Sequence, residues 1–594
     1  MKGMKADIKK PKHMKQFILK IFTSILVLSS GMYVQAQQPN QVFKAAGSPV
    51  NPKVTVTWNR YYDHAGISEI CKKIAAAYPD LAKLQSIGKS YEGRDLWCLT
   101  ITDFKKGNAD TKPGMYIDGN IHSNEIQGAE FALYTAWYLT ESFGDTKFIQ
   151  ELLEDKVFYI VPTINPDARD SYMHKPNTGS SPRSGVIPVD NDGDGLVNED
   201  SYDDINKDGH ITMMRRKNPN GRWKVDPKDP RNMIQVGPDE KGDYELLGIE
   251  GIDNDGDGRV NEDGYTFEYD PNRDWGWGWQ PNYIQNGAYK YPFSLPENRA
   301  VMEFVMKHPN IAAAQSFHNA GGMILRGPGG QEDVGTYNAQ DIAVYDAIAK
   351  KGEELIPGYK YLVVYKDLYS AYGGELDWFY AGRGIYTYSN ELWTPFLMYM
   401  RDATRDPFDN ASFSFDRYLL FQDAFVPWAE YDHPQYGKIE VGGMKKNFGR
   451  AHPGFLLESD AHRNMAFSIY HGFHTPKLEV FEITEKDLGD GLKEVTAVIT
   501  NSRLMPTHSS QDVKNKIERP DYITLTTSGK IISGMVVENR DLNLSTEQEQ
   551  NPATIEVANI PGLGSVTVKW IVQGGGKYTV SVDSKKGGTV SASK

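Results

Sequence analysis

The chain has 594 residues, of which 39% are hydrophobic and 24% charged, a composition typical of a globular protein with more than one domain. Its formal net charge is −13 and its sequence pI is about 5.6. This acidity and the lack of a basic stripe in the sequence exclude a nucleic-acid-binding protein.

The N-terminal region predicts an exported protein. Scattered lysines precede the apolar segment QFILKIFTSILVLSSGMYV, and small residues follow as far as Ala36, which is the order of regions in a secretory signal peptide. A membrane anchor is the weaker alternative, because Lys20 interrupts an apolar run that is already short for a bilayer. We expect residues 1–36 to be a signal peptide and the mature protein to be periplasmic or secreted, with no transmembrane anchor after cleavage.

Alternating helix and strand patterns beyond residue 54 predict an α/β sheet domain with helices on both faces. The predicted helices are residues 67–84, 126–142 and 297–308. The predicted strands are residues 93–103, 114–118, 156–165, 311–317, 361–365 and 384–392. The only two cysteines, Cys71 and Cys98, fall in the first helix and the first strand, and either a disulfide or two buried thiols fits them.

An acidic repeat interrupts this pattern within residues 186–266. The sequences DNDGDGLVNED (190–200) and DNDGDGRVNED (253–263) each place aspartates at alternate positions before a glycine, an arrangement that binds calcium. The twelfth positions are Ser201 and Gly264, so neither repeat is a standard EF-hand, and an acidic turn without an ion is the alternative. The predicted calcium ligands are Asp190, Asp192, Asp194, Asp253, Asp255 and Asp257. Further carboxylates are available from Glu199, Asp200, Glu262 and Asp263.

Beyond about residue 475 the sequence pattern changes to short runs of alternating apolar residues separated by turn residues. This pattern predicts a separate all-β sandwich over residues 475–594, following a catalytic domain over residues 50–474. The segment contains no catalytic constellation, so we expect a structural or binding domain.

A candidate metal site lies in DGNIHSNEIQGAE (118–130), where a predicted strand leads into a helix. His122 and Glu125 are three residues apart, which alone is a weak signal. Catalytic zinc sites use three protein ligands and leave one position for water. His318, in AQSFHN at the end of another predicted strand, supplies a third ligand.

Together with further motifs, this order of residues resembles the zinc metallocarboxypeptidase family of the carboxypeptidase A/B type over roughly residues 58–435, and in particular an exported bacterial member. The further motifs are SIGKSYEGRDLWCLTI (86–101), TINPDA (163–168), DPNRDW (270–275), PFSLPENRAV (292–301), LYSAYGGELDWFY (368–380) and YSNEL (388–392). The resemblance implies the zinc carboxypeptidase fold, with a mixed, mostly parallel central sheet. It also implies Zn²⁺ bound by His122, Glu125 and His318.

The same resemblance implies the roles of the reacting groups. Glu391 corresponds to the general base that accepts a proton from water and returns it to the leaving amine. Arg215 corresponds to the cation that stabilises the tetrahedral oxyanion, and Arg216 is its rival because the acidic insertions blur the alignment.

Recognition of a free C-terminus is implied by three further residues. Asn272 and Arg273 correspond to the clamp for the substrate carboxylate, and Tyr369 corresponds to a mobile phenol that closes over the substrate. Leu376 corresponds to the base of the side-chain pocket and favours large apolar or aromatic C-termini. Glu375 departs from the small residue expected beside it and favours basic C-termini if its side chain points inward.

The sequence therefore predicts an exported zinc carboxypeptidase that acts on the C-termini of peptides or proteins. Two alternatives remain. One is an amidase of the same fold acting on cell-wall peptides or acylated amino acids, and the other is a catalytically inactive binding protein that displays its sandwich domain.

Overall fold

The structure is a computed structural model that describes residues 45–49, 51–190, 195–256, 258, 260–261, 269–401 and 411–594. The predicted signal peptide lies outside these residues. The chain divides into two units, Met1–Pro52 and Lys53–Lys594, and every element named below belongs to the second. Among the described residues no helix has the length and apolar character needed to cross a membrane.

An eight-stranded sheet with the order β1-β2-β4-β3-β9-β12-β10-β11 forms the centre of the second unit. Its strands are β1 (Ala82–Lys89), β2 (Asp95–Ile101), β3 (Gly114–Gly119), β4 (Val157–Val161), β9 (Ile311–Asn319), β10 (Met323–Arg326), β11 (Lys360–Val363) and β12 (Tyr386–Leu392). The pairs β3/β4, β3/β9, β9/β12 and β10/β11 are parallel and the remaining pairs are antiparallel. The predicted mixed, mostly parallel sheet is confirmed.

Helices cover both faces of this sheet, as predicted. The α-helices of the described residues are α1 (His64–Ala77), α2 (Gln127–Ser142), α3 (Lys147–Asp155), α4 (Pro166–His174), α5 (Pro296–Lys307), α6 (Ala339–Leu355), α7 (Glu375–Asp377), α8 (Phe396–Tyr399), α9 (Ala411–Leu419), α10 (Gly454–Phe473) and, later in the chain, α11 (Ser510–Asn515). Successive side chains of a strand point to opposite faces. Met115 and Ile117 of β3 accordingly join the core under α1, α2, α6 and α10, whereas Tyr116 joins the core under α5.

The first predicted helix is wrong in its second half. Helix α1 ends at Ala77, and residues from Ala82 onward form β1, which pairs with β2 in antiparallel register. Proline at position 79 disfavours helical geometry at Tyr78, whose φ and ψ are −130° and 58°. The apolar spacing beyond this proline therefore belongs to a strand. Both cysteines are free and buried, and burial raises the pKa of the Cys71 thiol to about 12.

A second sheet with the order β13-β14-β5-β8-β6-β7 contains part of the acidic insertion and was not predicted. Its strands are β5 (Met213–Gly221), β6 (Trp223–Val225), β7 (Met233–Gln235), β8 (Gly242–Ile249), β13 (Phe425–His433) and β14 (Gly437–Met444). The sheet depends on the pairing of β14 with β5, in which Glu440 lies opposite Arg215. These residues are 225 positions apart, so local patterns give no indication of the pairing.

Two antiparallel sheets, β15-β16-β21-β18-β19 and β20-β17-β22-β23, form the predicted C-terminal all-β region. The strands are β15 (Leu478–Gly489), β16 (Leu492–Asn501), β17 (Asp521–Thr527), β18 (Lys530–Asn539), β19 (Leu544–Glu547), β20 (Thr554–Val557), β21 (Gly564–Gln573), β22 (Tyr578–Ser584) and β23 (Gly588–Ser593). One apolar core, which contains the fully buried Trp570, lies between them.

Polar contacts attach this β region to the rest of the unit. Lys586 donates to the carbonyls of Arg383 and Gly384, and the Arg383 guanidinium pairs with Glu518 at 2.7 Å. Lys586 also pairs with Asp512 at 2.7 Å.

His508 lies beside this attachment, with its two ring nitrogens 3.1 Å from Asp512 and Asp521. Burial alone would lower the pKa of His508, but these two carboxylates raise it to about 9. The imidazole is therefore charged at neutral pH and forms part of a buried charge network.

Candidate active site

The side chains of His122, Glu125 and His318 converge at the carboxyl ends of β3 and β9. Nδ1 of His122 lies 3.1 Å from Glu125 Oε1, and Nδ1 of His318 lies 3.1 Å from Glu125 Oε2 and 3.3 Å from the His122 Nδ1. All three side chains are buried. They are the residues that the sequence predicts as zinc ligands.

This cluster fits a zinc ion. Two ligands that are each about 2.1 Å from zinc at a tetrahedral angle lie about 3.4 Å apart, close to the separations found here. Two imidazoles and one carboxylate are also the donor types that zinc prefers in catalytic sites. The arrangement leaves a fourth position for water or substrate.

The loop between β3 and α2 brings His122 and Glu125 together. Asn120 adopts a left-handed conformation (φ 58°), and its side-chain amide donates to the carbonyls of His122, Ser123 and Glu125. Gly119 packs so closely on the start of α2 that a Cβ atom would lie 2.5 Å from a backbone carbonyl. This tight loop, held by its own hydrogen bonds, therefore places the side chains of His122 and Glu125 next to each other.

The TINPDA motif supports the same loop from α4. The Asn165 side chain caps α4 by accepting from the Ala168 amide, and its own amide donates to the carbonyl of Ile121 at 3.0 Å. One asparagine thus both starts a helix and fixes the backbone next to His122.

Asp270 orients His122 from behind. Its Oδ1 lies 2.8 Å from Nε2 of His122, and its Oδ2 accepts from Arg183 at 2.6 Å. Burial alone would raise the pKa of Asp270, but Arg183 and His122 hold it well below its ordinary value. The ionised carboxylate accepts a hydrogen bond from the Nε2–H of His122. This fixes the proton on Nε2 and leaves the unprotonated Nδ1 free to bind a metal.

Glu391 lies next to the metal ligands because β12 pairs with β9 in parallel, with Glu391 opposite His318. Both residues line the same cavity. Burial and the nearby Glu125 carboxylate raise the pKa of Glu391 to about 7. A carboxyl group with such a pKa suits proton transfer near neutral pH.

The predicted substrate-binding residues line this cavity as well. Asn272, Arg273, Tyr369 and Leu376 all border it. The Tyr369 side chain is 58% exposed, so its phenol lies at the cavity mouth. Among the described residues no carboxylate forms an ion pair with Arg273, and its guanidinium donates only to the carbonyl of Asn272.

The structure does not bring Arg215 or Arg216 into this site. Arg215 belongs to the second sheet, where it pairs with Glu440 at 2.6 Å and stacks on the rings of Tyr244 and Trp428. Arg216 pairs with Glu245 in the same sheet. Both arginines have structural partners away from the metal ligands.

Arg183, which the sequence reasoning missed, is an arginine that the structure places beside the predicted metal ligands. One of its terminal nitrogens lies 3.2 Å from Nδ1 of His122 while the other is held by Asp270. It is the only arginine between Arg169 and Arg215 in the sequence. Its place in the segment after α4, ahead of the acidic insertion, was the one sequence feature that could have identified it.

A second cation at the site was also missed. Arg450 has a terminal nitrogen 3.9 Å from Glu125 Oε1 and donates to the carbonyl of Asn319 at 3.1 Å. It follows the second sheet in the chain, and no local feature of its sequence points to the metal ligands.

The acidic repeats form equivalent turns where they are described. Asp190 accepts from the amide of Gly195 at 3.0 Å, and Asp253 accepts from that of Gly258 at 3.1 Å. Asp200, Asp253 and Asp255 offer oxygens within 4.8 Å of one another. The predicted ligands Asp192, Asp194 and Asp257 lie outside the described residues, as do Glu262 and Asp263.

Comparison with known proteins gives two family matches. The zinc carboxypeptidase family matches residues 67–409, which is more than half of the chain. A family described only as a domain of unknown function matches residues 477–594.

Individual relatives match over shorter segments. Carboxypeptidase B of Astacus astacus is 37% identical over 111 residues, which is 18% of this chain and 34% of that protein. An inactive metallocarboxypeptidase of Ajellomyces capsulatus is 31% identical over 125 residues, which is 21% of each chain. The chain thus spans about a third or less of the length of these relatives. Among solved structures, carboxypeptidase A from Helicoverpa armigera is 14% identical, with 76% of this chain and 80% of that chain covered and a TM-score of 0.39.

The fold and site define an α/β protein in which His122, Glu125 and His318 form a cluster that fits a metal ion at the carboxyl ends of parallel strands. The family match over residues 67–409 shows further that the chain belongs to the zinc carboxypeptidase family.

Proposed function

We propose that the protein is a zinc-dependent metallocarboxypeptidase that hydrolyses the C-terminal peptide bond of peptides or proteins. The observation that carries this proposal is one cavity that joins His318 of the metal cluster, the carboxyl group of Glu391 and the guanidinium of Arg273. Metal chemistry, proton transfer and carboxylate recognition are the three requirements of this reaction, and each has a residue here.

His122, Glu125 and His318 would hold a zinc ion, which when bound would act as the Lewis acid that polarises the scissile carbonyl and acidifies a water molecule. Glu391 accepts the proton of the attacking water and then transfers it to the leaving amine. Its side chain is half-buried and lines the same cavity as His318 of the metal cluster.

Arg183 stabilises the negative oxygen that develops on the scissile carbonyl. Its guanidinium is within hydrogen-bond distance of the metal-facing nitrogen of His122 and is held in place by Asp270. A cation that is already fixed by a carboxylate needs no reorganisation when the oxyanion forms.

Asn272 and Arg273 bind the free carboxylate of the substrate, and Tyr369 covers it. A guanidinium without an ionic partner among the described residues suits a carboxylate through paired hydrogen bonds. This requirement for a free C-terminus makes the enzyme an exopeptidase.

The test is digestion of a mixed peptide library by the purified protein, followed by mass spectrometry, with and without a zinc chelator. We expect stepwise loss of single C-terminal residues, abolished by the chelator and restored by zinc. Peptides with amidated C-termini serve as the matched control and stay intact. Cleavage of amidated and free peptides at equal rates would contradict the exopeptidase assignment.

An inactive protein of this fold is the alternative that deserves a direct control, because one relative is described as inactive. Glu391→Gln removes the base and keeps the shape of the side chain, so we expect activity to vanish while peptide binding persists. Equal turnover by the wild type and Glu391→Gln would exclude Glu391 as the base. No turnover by either, on any peptide or on cell-wall fragments, would favour the binding protein.

We also propose that the acidic repeats bind calcium as a structural ion. The duplicated turns closed by Asp190 and Asp253 and the proximity of Asp200, Asp253 and Asp255 support this proposal. We expect the melting temperature of the full chain to rise when calcium replaces a chelator, and to rise less in Asp253→Asn. Equal melting temperatures in calcium and chelator would contradict it.

The domain limits and the location are part of the same proposal. We propose an exported protein with a catalytic domain over residues 50–474 and a structural or binding domain over residues 475–594. N-terminal sequencing of the mature protein checks the export step, with a start directly after Ala36 as the expected result.

A further inference from the structure

A line of polar side chains crosses the core between β9, β12 and α10. Gln315 of β9 donates to the side-chain oxygen of Asn390 in β12 at 2.8 Å, and Asn390 donates to that of Asn464 in α10 at 2.7 Å. Asn464 donates in turn to the backbone carbonyl and the carboxylate of Asp460, at 3.1 and 3.3 Å. All four residues are buried.

The line continues to the segment that follows the second sheet. Oδ2 of Asp460 lies 2.7 Å from Nε2 of His452 and accepts from the hydroxyl of Tyr359 at 3.1 Å. His452 is buried as well, beside the rings of Phe131 and Trp393. We refer to the connected side chains as the polar network, which consists of Gln315, Asn390, Asn464, Asp460 and His452.

The polar network has a member next to Glu391 and another next to Arg450. Asn390 directly precedes Glu391, and successive side chains of a strand point to opposite faces. Asn390 is accordingly buried against α10, whereas Glu391 lines the cavity beside the metal ligands. His452 follows Arg450 by two residues, and the Arg450 guanidinium donates to the carbonyl of Asn319 at 3.1 Å. Hydrogen bonds through the core thus connect two segments that contribute to the site.

Apolar side chains could fill the same part of the core, but they would constrain it less. Apolar contacts have no preferred direction, whereas a hydrogen bond requires a particular distance and angle between donor and acceptor. A buried polar group that loses its partner is also costly, so each member of the polar network holds its neighbours in one arrangement. The network therefore opposes small shifts of β12 relative to α10.

We propose that the polar network is a positioning device that fixes Glu391 relative to the metal cluster and to Arg450, an inference that rests on the proposed carboxypeptidase function. The position of a reacting group is critical, because a displacement of about 1 Å can lower a rate by about 100-fold. Asn390, Asn464 and Asp460 are thus positioning residues that act through Glu391.

The experiment measures kcat, KM and zinc affinity in Asn464→Leu, which removes the central member of the network and keeps a side chain of similar size. We expect kcat on a peptide to fall by about 100-fold while KM and zinc affinity change little. If Asn464→Leu does not fold, Asp460→Asn serves as a milder variant, with a smaller fall in kcat expected. An unchanged kcat in the folded variant would overturn the inference.

Asn310→Leu is the matched control. Asn310 is a buried asparagine at the amino end of β9, where it donates to the carbonyls of Ala109 and Lys112 at 3.0 and 2.8 Å. We expect its loss to lower the melting temperature and to leave kcat unchanged. An equal fall of kcat in Asn310→Leu and Asn464→Leu would show a general effect of stability and overturn the positioning role.

Hydrogen exchange of backbone amides, followed by mass spectrometry, separates this inference from the proposed function because it needs no activity. We expect faster exchange in β12 and in residues 446–453 of Asn464→Leu, but not of Asn310→Leu. This result without cleavage of any peptide by the wild type supports the network and overturns the function. Cleavage by the wild type, with kcat and exchange unchanged in Asn464→Leu, overturns the inference alone. Neither cleavage nor faster exchange overturns both.

Discussion

Replacement of Asp270 by asparagine tests whether this carboxylate prepares His122 for metal binding. Three donors meet on it: Nε2 of His122 at 2.8 Å, Arg183 at 2.6 Å and the amide of Asn272 at 2.7 Å. An asparagine side chain has one acceptor oxygen in place of two charged ones, so at least one donor loses its partner. Loss of such a supporting carboxylate typically weakens metal binding by about 10- to 100-fold. This range corresponds to about 1.4 to 2.8 kcal/mol.

The assay is a titration of the metal-free protein in zinc buffers of defined free concentration, with zinc occupancy and peptidase activity followed together. Asp274→Asn is the control, because Asp274 is a buried carboxylate of the same segment that accepts only from Ser294, Leu295 and Asn298 among the described residues. We expect the midpoint of the zinc-binding titration to shift to a higher free zinc concentration in Asp270→Asn and to stay at the wild-type value in Asp274→Asn. Equal midpoints for the wild type and Asp270→Asn would refute the role given to this carboxylate.

Three further predictions concern buried charges. Arg183→Gln should lower kcat by about 100- to 1000-fold, measured on a peptide at saturating concentration, and an unchanged kcat would exclude Arg183 as the oxyanion cation. Arg169→Met leaves Glu130, its partner at 2.6 Å, buried without a cation and should lower the free energy of unfolding by about 3–5 kcal/mol in urea titrations. The double variant with Glu130→Gln should recover part of that loss. Because the folded pKa of His508 is raised to about 9, its stabilising charge is fully present below about pH 6.5 and is lost as the pH rises through 9. The stability difference between the wild type and His508→Gln, about 3 kcal/mol at low pH, should therefore shrink over this range, and a constant difference would contradict the assignment.

Local spacing carried most of the information about the metal cluster. His122 and Glu125 are three residues apart in a loop between a strand and a helix, so the backbone of that loop alone brings them near each other. His318 and Glu391 each end an apolar strand, and ends of parallel strands meet at one edge of a sheet. Neighbouring residues and strand ends are features that a sequence displays directly.

The remaining features depend on chain segments that are far apart in sequence. Arg183 lies at the metal cluster and Arg215 does not, because β14 pairs with β5 and binds Arg215 to Glu440. Arg450 reaches Glu125 from a segment more than 300 residues away, a distance along the chain at which no periodicity is informative. Sequence order alone does not indicate such contacts.

The sequence by itself indicated the zinc carboxypeptidase family, since the ligand types, the family motifs and the strand ends are all encoded locally. The tertiary structure decided which arginine lies beside the metal cluster and which carboxyl groups line the adjacent cavity. Glu375 illustrates the reason: its residue type was evident from the chain, but its burial beside Asp118 follows from the packing of α7 against β3 and β9. The direction of a side chain depends on every segment packed around it, and those segments are assembled only in the folded protein.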